Sequence, residues 1–313
     1  MKKLRLAFMG TPDFSVATLE MLHALPFVEI VKVISMPDRP VGRGLELKSP
    51  PVIVFAKENK LAFHQTENVN KDETLLKELQ NLQCDLIIVL AFAQFLGSNI
   101  LNLPKLGCFN IHTSLLPRYR GAAPIQHALL NGDQSTGVSI QRMVKKMDAG
   151  DLVHMRPVKI SLFENSQTLF TKLKFESAIA VENFLYDILN DKCVYTPQDE
   201  SQATFAPTIS KDDGKIHFKE MNMVDILNRL KAFEPWPSIF CFLNGQRLKI
   251  LQIESSNQKL APGVLSTHHG MLEIGCQDST IRLSVVQLEG KKKCSDRELL
   301  NGLKNKTQEF IIS

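Results

Sequence analysis

An asparagine and a histidine two residues apart, Asn110 and His112 in "GCFNIHTSLLPRYRGAAPIQ", end an apolar run and precede a turn rich in Pro, Arg and Gly. In a strand, alternation puts both side chains on one face. An amide NH₂ and a ring N–H aimed at one small polar centre are the donors a carbonyl oxygen needs as it becomes an oxyanion during acyl transfer. Either residue alone suits a purely structural hydrogen bond just as well.

A carboxylate would make the pair chemically coherent, because amine attack on an acyl carbon releases a proton and the histidine must be held in a useful tautomer. Asp148 and Asp151 in "KKMDAGDLV" are both available where Ala149 and Gly150 leave room at a turn, and either also suits a simple turn cap. No Ser or Cys lies in a G-x-S-x-G setting, which favours direct transfer over a covalent acyl-enzyme. His112 has no H-E-x-x-H partner, and His268 and His269 fall in a "THHG" turn, so no metal site is expected. Gly10 in "MGTPDFS" is a single glycine, short of the G-x-G-x-x-G dinucleotide pattern; it suits a tight strand-to-helix turn or a loop bordering a ligand cleft.

The elements that must position these residues read as an α/β domain. Apolar strands are expected at Leu4–Met9, Val28–Ser35, "CDLIIVLA" and "GCFNIHT", with little alternation, as in a parallel sheet covered by helices on both faces. Helices are expected at Ala17–Ala24, at "PVIVFAKEN" with Pro51 in its first turn, and over Ser166–Leu189. "MPDRPVGRGLELKSP" reads as a polar loop. Residues 191–207 lack periodicity and read as a linker between a domain at 1–190 and a small β-rich domain at 208–313, whose short strands are joined by "NG", "HG" and "QDS" turns. Trp236 in "EPWP" is expected to pack at a fixed turn rather than stack on a base.

With 44% hydrophobic and 22% charged residues and a net charge of +4, the chain reads as globular, and its basic bias permits a nucleic-acid partner without requiring one. Six cysteines without C-x-x-C spacing suit reduced thiols, and no targeting or membrane-spanning segment is apparent, so a cytoplasmic location is expected.

"FNIHTSLLPRYRGAAPIQHALLNGDQSTGVSIQRMVKKMDAGDLV" resembles the core of the formyltetrahydrofolate-dependent formyltransferases, with N-x-H-x-S-L-L-P, a downstream R-G, and an Asp before A/T-G-D. The resemblance implies a Rossmann-like parallel-sheet catalytic domain followed by a small OB-like β-barrel. It implies that Asn110 and His112 polarise a formyl group while Asp148 works with His112 in proton transfer, and that Ser114, Leu115, Leu116 and Pro117 shape the folate cleft. The formyl donor would be 10-formyltetrahydrofolate, with no metal. Gln94 departs from the family's usual tyrosine-glycine wording around 91–96, and Thr113 replaces a residue usually Gly or Pro.

"RLAFMGTPDFSVATLEML", "PDRPVGRG", "SPPVIVFAKE", "KAFEPWP" and "LAPGVL" extend the resemblance to the branch of that family acting on methionylated initiator tRNA. That branch implies tRNA contacts by the loop residues Arg39, Arg43 and Lys48 and by Lys291, Lys292 and Lys293 of the second domain, in an enzyme working as a monomer without an obligate protein partner. Arg43 matches the arginine that enters the acceptor stem. Sugar formyltransferases differ after R-G, where this chain has Ala122 and Ala123, and glycinamide ribonucleotide formyltransferases resemble only the first domain. A bare RNA-binding module is the non-enzymatic alternative.

Overall fold

The computed structural model describes residues 3–42, 44–303 and 312. Two compact units form, one from 1–124, 135–160 and 170–206, the other from 125–134, 161–169 and 207–313.

The first unit is built on a seven-stranded sheet. Its strands, with the small elements between them, are β1 (Leu4–Gly10), β2 (Val28–Ser35), a hairpin of β3 (Arg39–Val41) and β4 (Glu46–Lys48), β5 (Phe63–Gln65), β6 (Leu86–Leu90), β7 (Gly107–His112), a two-residue β8 (Arg120–Gly121), β9 (Ser135–Arg142), β10 (Leu152–Lys159) and β11 (Phe205–Ala206). The main sheet runs β10-β9-β7-β6-β1-β2-β5, parallel from β5 to β7 and closed at one edge by the antiparallel β9–β10 hairpin. That hairpin adds an antiparallel edge to the Rossmann-like parallel sheet expected. Its connecting loop leaves β9 beside the amino-terminal half of β7, where Arg142 pairs with Phe109, and folds back to bring Asp148 to Asn110 and His112.

Helices α1 (Val16–Ala24), α2 (Pro51–Glu58), α3 (Glu73–Leu82), α4 (Ser98–Leu101), α5 (Pro124–Leu130) and α6 (Ser166–Leu189) follow in chain order. Strand β6, LIIVL, is buried at every position, because both faces of the sheet are covered. On one face of β7, Cys108 joins a core with Leu75 and Leu79 of α3 and Ile100 of α4. On the other, Phe109 packs its ring against Phe184 of α6 at 4.7 Å between centroids. Strand order reverses between β1 and β6, the switch point where open α/β sheets bind ligands at the carboxyl ends of their strands. At that point Gly10 is crowded: a Cβ there would lie 2.8 Å from Phe8 and 3.0 Å from the Leu90 carbonyl oxygen. The tight-turn reading therefore has a direct steric cause.

The polar loop at 36–50 holds the β3–β4 hairpin, whose strand residues are all exposed. Asp38 fixes its base, accepting from Gln65 Nε2 at 2.7 Å and from Ser49 Oγ at 3.0 Å. Of residues 191–207, expected as a linker, 191–206 lie in the first unit, where β11 pairs in parallel with β8.

In the second unit, α7 (Met223–Ala232) starts with a capping box between Asn222 and Asp225. A curled antiparallel sheet follows, from β12 (Ile239–Leu243), β13 (Gln246–Ser256), β14 (Leu265–Ser266), β15 (Glu273–Gly275), β16 (Thr280–Leu288) and β17 (Cys294–Ser295), ordered β12-β13-β16-β15-β14 with β17 on β16, and α8 (Asp296–Leu303) ends the described run. Asp296 is fully buried and binds Arg282 through both carboxylate oxygens, at 2.8 and 2.9 Å. Trp236 is 52% exposed, so the "EPWP" turn leaves about half the indole in solvent rather than packing it completely. No helix among the described residues is long and apolar enough to cross a membrane.

Candidate active site

Asn110 and His112 emerge on one face of β7, as alternation requires, and register on β9 sets Gln141 opposite Asn110 and Ser139 opposite His112. Asp148 arrives from the β9–β10 loop with φ of +49°, a left-handed backbone setting unusual for a residue bearing a Cβ. Its Oδ1 accepts from Gln141 Nε2 at 2.9 Å and from Asn110 Nδ2 at 3.4 Å, while Oδ2 accepts from the Gly121 N–H at 2.9 Å and stands 3.7 Å from His112 Nδ1. The structure thus brings together the three residues singled out in the sequence.

The tautomer of His112 follows from its other nitrogen. Nε2 lies 2.8 Å from the Tyr119 carbonyl oxygen, which can only accept, so Nε2 carries a proton. Nδ1 is therefore the nitrogen that faces Asp148. At 6% exposure the ring is largely withdrawn from water, where such contacts act more strongly than in bulk solvent.

Ser114 and Leu116 are buried and hold the turn by their own bonds. Ser114 Oγ donates to the Arg118 carbonyl at 2.6 Å, and Ser139 Oγ both donates to the Ser114 carbonyl at 2.7 Å and accepts from the Leu116 N–H at 3.0 Å. Leu115 and Pro117 lie on the same turn. Along 91–96, Ala91 and Ala93 take positive φ, 49° and 64°, and Gln94 binds the opposing loop, its Oε1 accepting from Val69 N–H at 2.7 Å and its Nε2 donating to the Thr66 carbonyl at 2.9 Å. Gln94 therefore ties the 91–96 segment to the loop at 66–69.

Sequence reading missed three participants. Gln141, 2% exposed, donates to Asp148 and accepts from the Gly150 N–H at 3.0 Å; its signal is a polar residue in an otherwise buried strand, in register with Asn110. Gln198 and Glu200 come from the stretch expected as a linker and meet Arg120, which is buried at 1% exposure. Gly121, the glycine of R-G, has φ of +120°, and a Cβ on it would stand 2.7 Å from the Ala206 carbonyl oxygen. It must be glycine for β11 to lie against β8.

Of the basic residues, Arg39 and Lys48 are cross-strand partners at the base of the β3–β4 hairpin, bound to Glu67 at 2.5 Å and Glu46 at 3.5 Å respectively. Arg43 lies outside the described residues. Lys291, Lys292 and Lys293 are exposed between β16 and β17.

The chain is similar to known proteins. A formyl transferase family model matches residues 4–183, and the model of the formyl transferase C-terminal domain matches residues 208–304. A methionyl-tRNA formyltransferase of Geobacter sulfurreducens is 37% identical over 305 residues, covering 97% of this chain and 95% of the relative. Among solved structures, the N-formyltransferase from Helicobacter canadensis with folinic acid and dTDP-3-aminofucose aligns at a TM-score of 0.63 and 19% identity, over 94% of this chain and all of that one. HypX from Aquifex aeolicus in complex with tetrahydrofolic acid aligns at a TM-score of 0.60 and 15% identity over 97% of this chain; the match spans 48% of HypX, about half its length. Both structural likenesses speak to the fold.

Proposed function

The chain belongs to the formyl transferase family, both of whose domain models it matches in order, and from that membership we propose that it moves the formyl group of 10-formyltetrahydrofolate onto the α-amine of methionyl initiator tRNA. The observation that carries this reading is near full-length similarity to methionyl-tRNA formyltransferases, together with the convergence of Asn110, His112 and Asp148 at β7, the strand next to β6, which borders the switch point of the sheet.

In this reading the neutral amine attacks the formyl carbon. A C–N bond to the methionyl nitrogen forms, and the carbonyl π pair moves onto oxygen. Asn110 Nδ2 and, when protonated, His112 Nδ1 are the donors that meet the growing negative charge, held beforehand by Asp148 and by the Tyr119 carbonyl. The tetrahedral intermediate then collapses with rupture of the bond to N10 of the folate. The proton leaving the amine passes by way of Asp148 to the departing nitrogen, and formylmethionyl-tRNA and tetrahydrofolate result. Ser114, Leu115, Leu116 and Pro117 form the turn bordering the folate cleft, and the 91–96 segment forms its wall. Arg39, Arg43 and Lys48 meet the acceptor end and Lys291, Lys292 and Lys293 meet phosphate, with the chain acting as a monomer in the cytoplasm.

The test is a substrate panel: purified protein with 10-formyltetrahydrofolate and, separately, methionyl initiator tRNA, glycinamide ribonucleotide and an amino sugar nucleotide. Formylmethionine released by ester hydrolysis from the first alone is expected. Formylation of either small acceptor instead refutes the substrate assignment, and tight tRNA binding with no transfer refutes the enzymatic one.

A further inference from the structure

Neither family model covers residues 184–207, yet this stretch supplies a side chain that touches both halves of the site. Gln198 Nε2 donates to the carbonyl oxygens of Asp148 at 2.9 Å and Gly150 at 2.7 Å. Its Oε1 accepts from Arg120 Nε at 3.2 Å and Nη2 at 2.8 Å. One carboxamide therefore ties the loop that carries Asp148 to the turn whose Tyr119 carbonyl holds His112.

The tie is supported from behind. A buried guanidinium needs compensating charge, and Glu200 receives Arg120 at 2.9 and 3.1 Å. The main chain adds parallel fastenings: Tyr119 N–H donates to Thr204 Oγ1 at 2.9 Å, Arg120 N–H to the Thr204 carbonyl at 2.8 Å, and Ala123 N–H to the Ala206 carbonyl at 3.1 Å. Asp148 itself sits in the left-handed region, which a residue with a Cβ keeps only when its surroundings enforce it. The two carbonyl acceptors of Gln198 lie at that strained position and just after it, one on Asp148 and one two residues on.

We propose that Gln198 is a positioning residue for formyl transfer: it fixes Asp148 and His112 relative to one another, while Arg120, itself held by Glu200, donates to its acceptor oxygen. This rests on the reaction assigned above. The donor half of the carboxamide is the essential one, because only Nε2 reaches the Asp148 loop. Gln198→Glu isolates it, keeping an acceptor for Arg120 while turning an oxygen toward two carbonyl oxygens. Gln198→Ala removes both halves.

The experiment uses the full chain, with single-turnover formyl transfer to methionyl initiator tRNA, dissociation constants for both substrates, and the NMR signal of the His112 Nε2 proton bonded to Tyr119. The wild type is expected to show that proton as a slowly exchanging resonance. In both variants the resonance should broaden or vanish, and the single-turnover rate should fall by about 10- to 100-fold with substrate affinities unchanged, as for a small misplacement of reacting groups. A Gln198→Glu protein with wild-type rate and an intact resonance overturns the proposal, since Gln198 would then serve only to neutralise and pack Arg120. Should Gln198→Ala not fold, Gln198→Glu, which retains the Arg120 contact, decides alone. Wild-type protein that forms no formylmethionine would sink the substrate assignment, and the His112 resonance would still report whether Gln198 positions the ring.

Discussion

Replacing Asp148 with asparagine keeps the shape of the side chain but reverses the chemistry of one oxygen, and the structure fixes the consequence. Oδ1 and Oδ2 each accept a 2.9 Å bond, from Gln141 Nε2 and from the Gly121 N–H. Whichever way the amide is turned, its NH₂ faces one of these donors. One good hydrogen bond is lost and two N–H groups are left opposed in a site where Gln141 is 2% exposed. Leaving a buried donor unsatisfied costs about 1–3 kcal/mol, so Asp148→Asn should destabilise the first unit by about that amount. Proton transfer is lost as well, a further effect of about 10²- to 10⁴-fold on the chemical step. Urea unfolding followed by a probe in the first unit measures the former, and single-turnover transfer with both substrates saturating measures the latter. An unchanged unfolding midpoint would refute the opposed-donor geometry. An unchanged rate would remove Asp148 from proton transfer.

Other outcomes follow from the proposed function and from the structure. Lys292→Ala should weaken initiator and elongator methionyl-tRNA about equally and lower the salt-dependence slope by about 0.7 to 1, whereas Arg43→Ala should narrow the preference for the initiator; single-turnover formylation of both tRNAs across an ionic-strength series separates the two. Burial pushes the Cys108 and Cys241 thiols up to about 12 and Cys276 up to about 11, so timed alkylation of native protein at mild alkaline pH should modify the half-buried Cys193 and Cys294 well before these three. Hydrogen bonds from Arg120, then Lys146, hold the Glu200 carboxyl down at about 2 against an ordinary 4.5. A depressed carboxyl contributes stability above its unfolded value and loses it as pH falls through the folded one. The stability lost in Glu200→Gln should therefore be present near neutrality and disappear as the pH drops from about 4.5 toward 2, measured by unfolding across that range.

Much of the site was legible because its signals are local. Asn110 and His112 stand out as polar residues two apart at the end of an apolar strand, and Asp148 lies in a short polar stretch between strands. The small β-rich second domain was legible from its turn dipeptides. The β3–β4 hairpin was hidden because its three-residue strands are exposed on every side chain and carry no alternation of burial. Residues 191–207 looked like a connector because they bury little apolar surface; Gln198, Thr204 and Glu200 hold this stretch in place through polar bonds made some 50 to 85 residues away in sequence. Arg120 was readable as a motif residue but not as a buried cation, since its counter-charge comes from that same distant stretch.

The central claim, that Asn110, His112 and Asp148 carry formyl from folate to the methionyl amine of initiator tRNA, is met most directly by one comparison. Single-turnover formation of formylmethionyl-tRNA from 10-formyltetrahydrofolate is measured for the wild type and for Asn110→Ala, with both substrates saturating. The expected result is efficient transfer by the wild type and a loss of about 10²- to 10³-fold in the variant at unchanged affinity, as for removal of an oxyanion donor. No transfer by the wild type, or a variant as fast as the wild type, would contradict it.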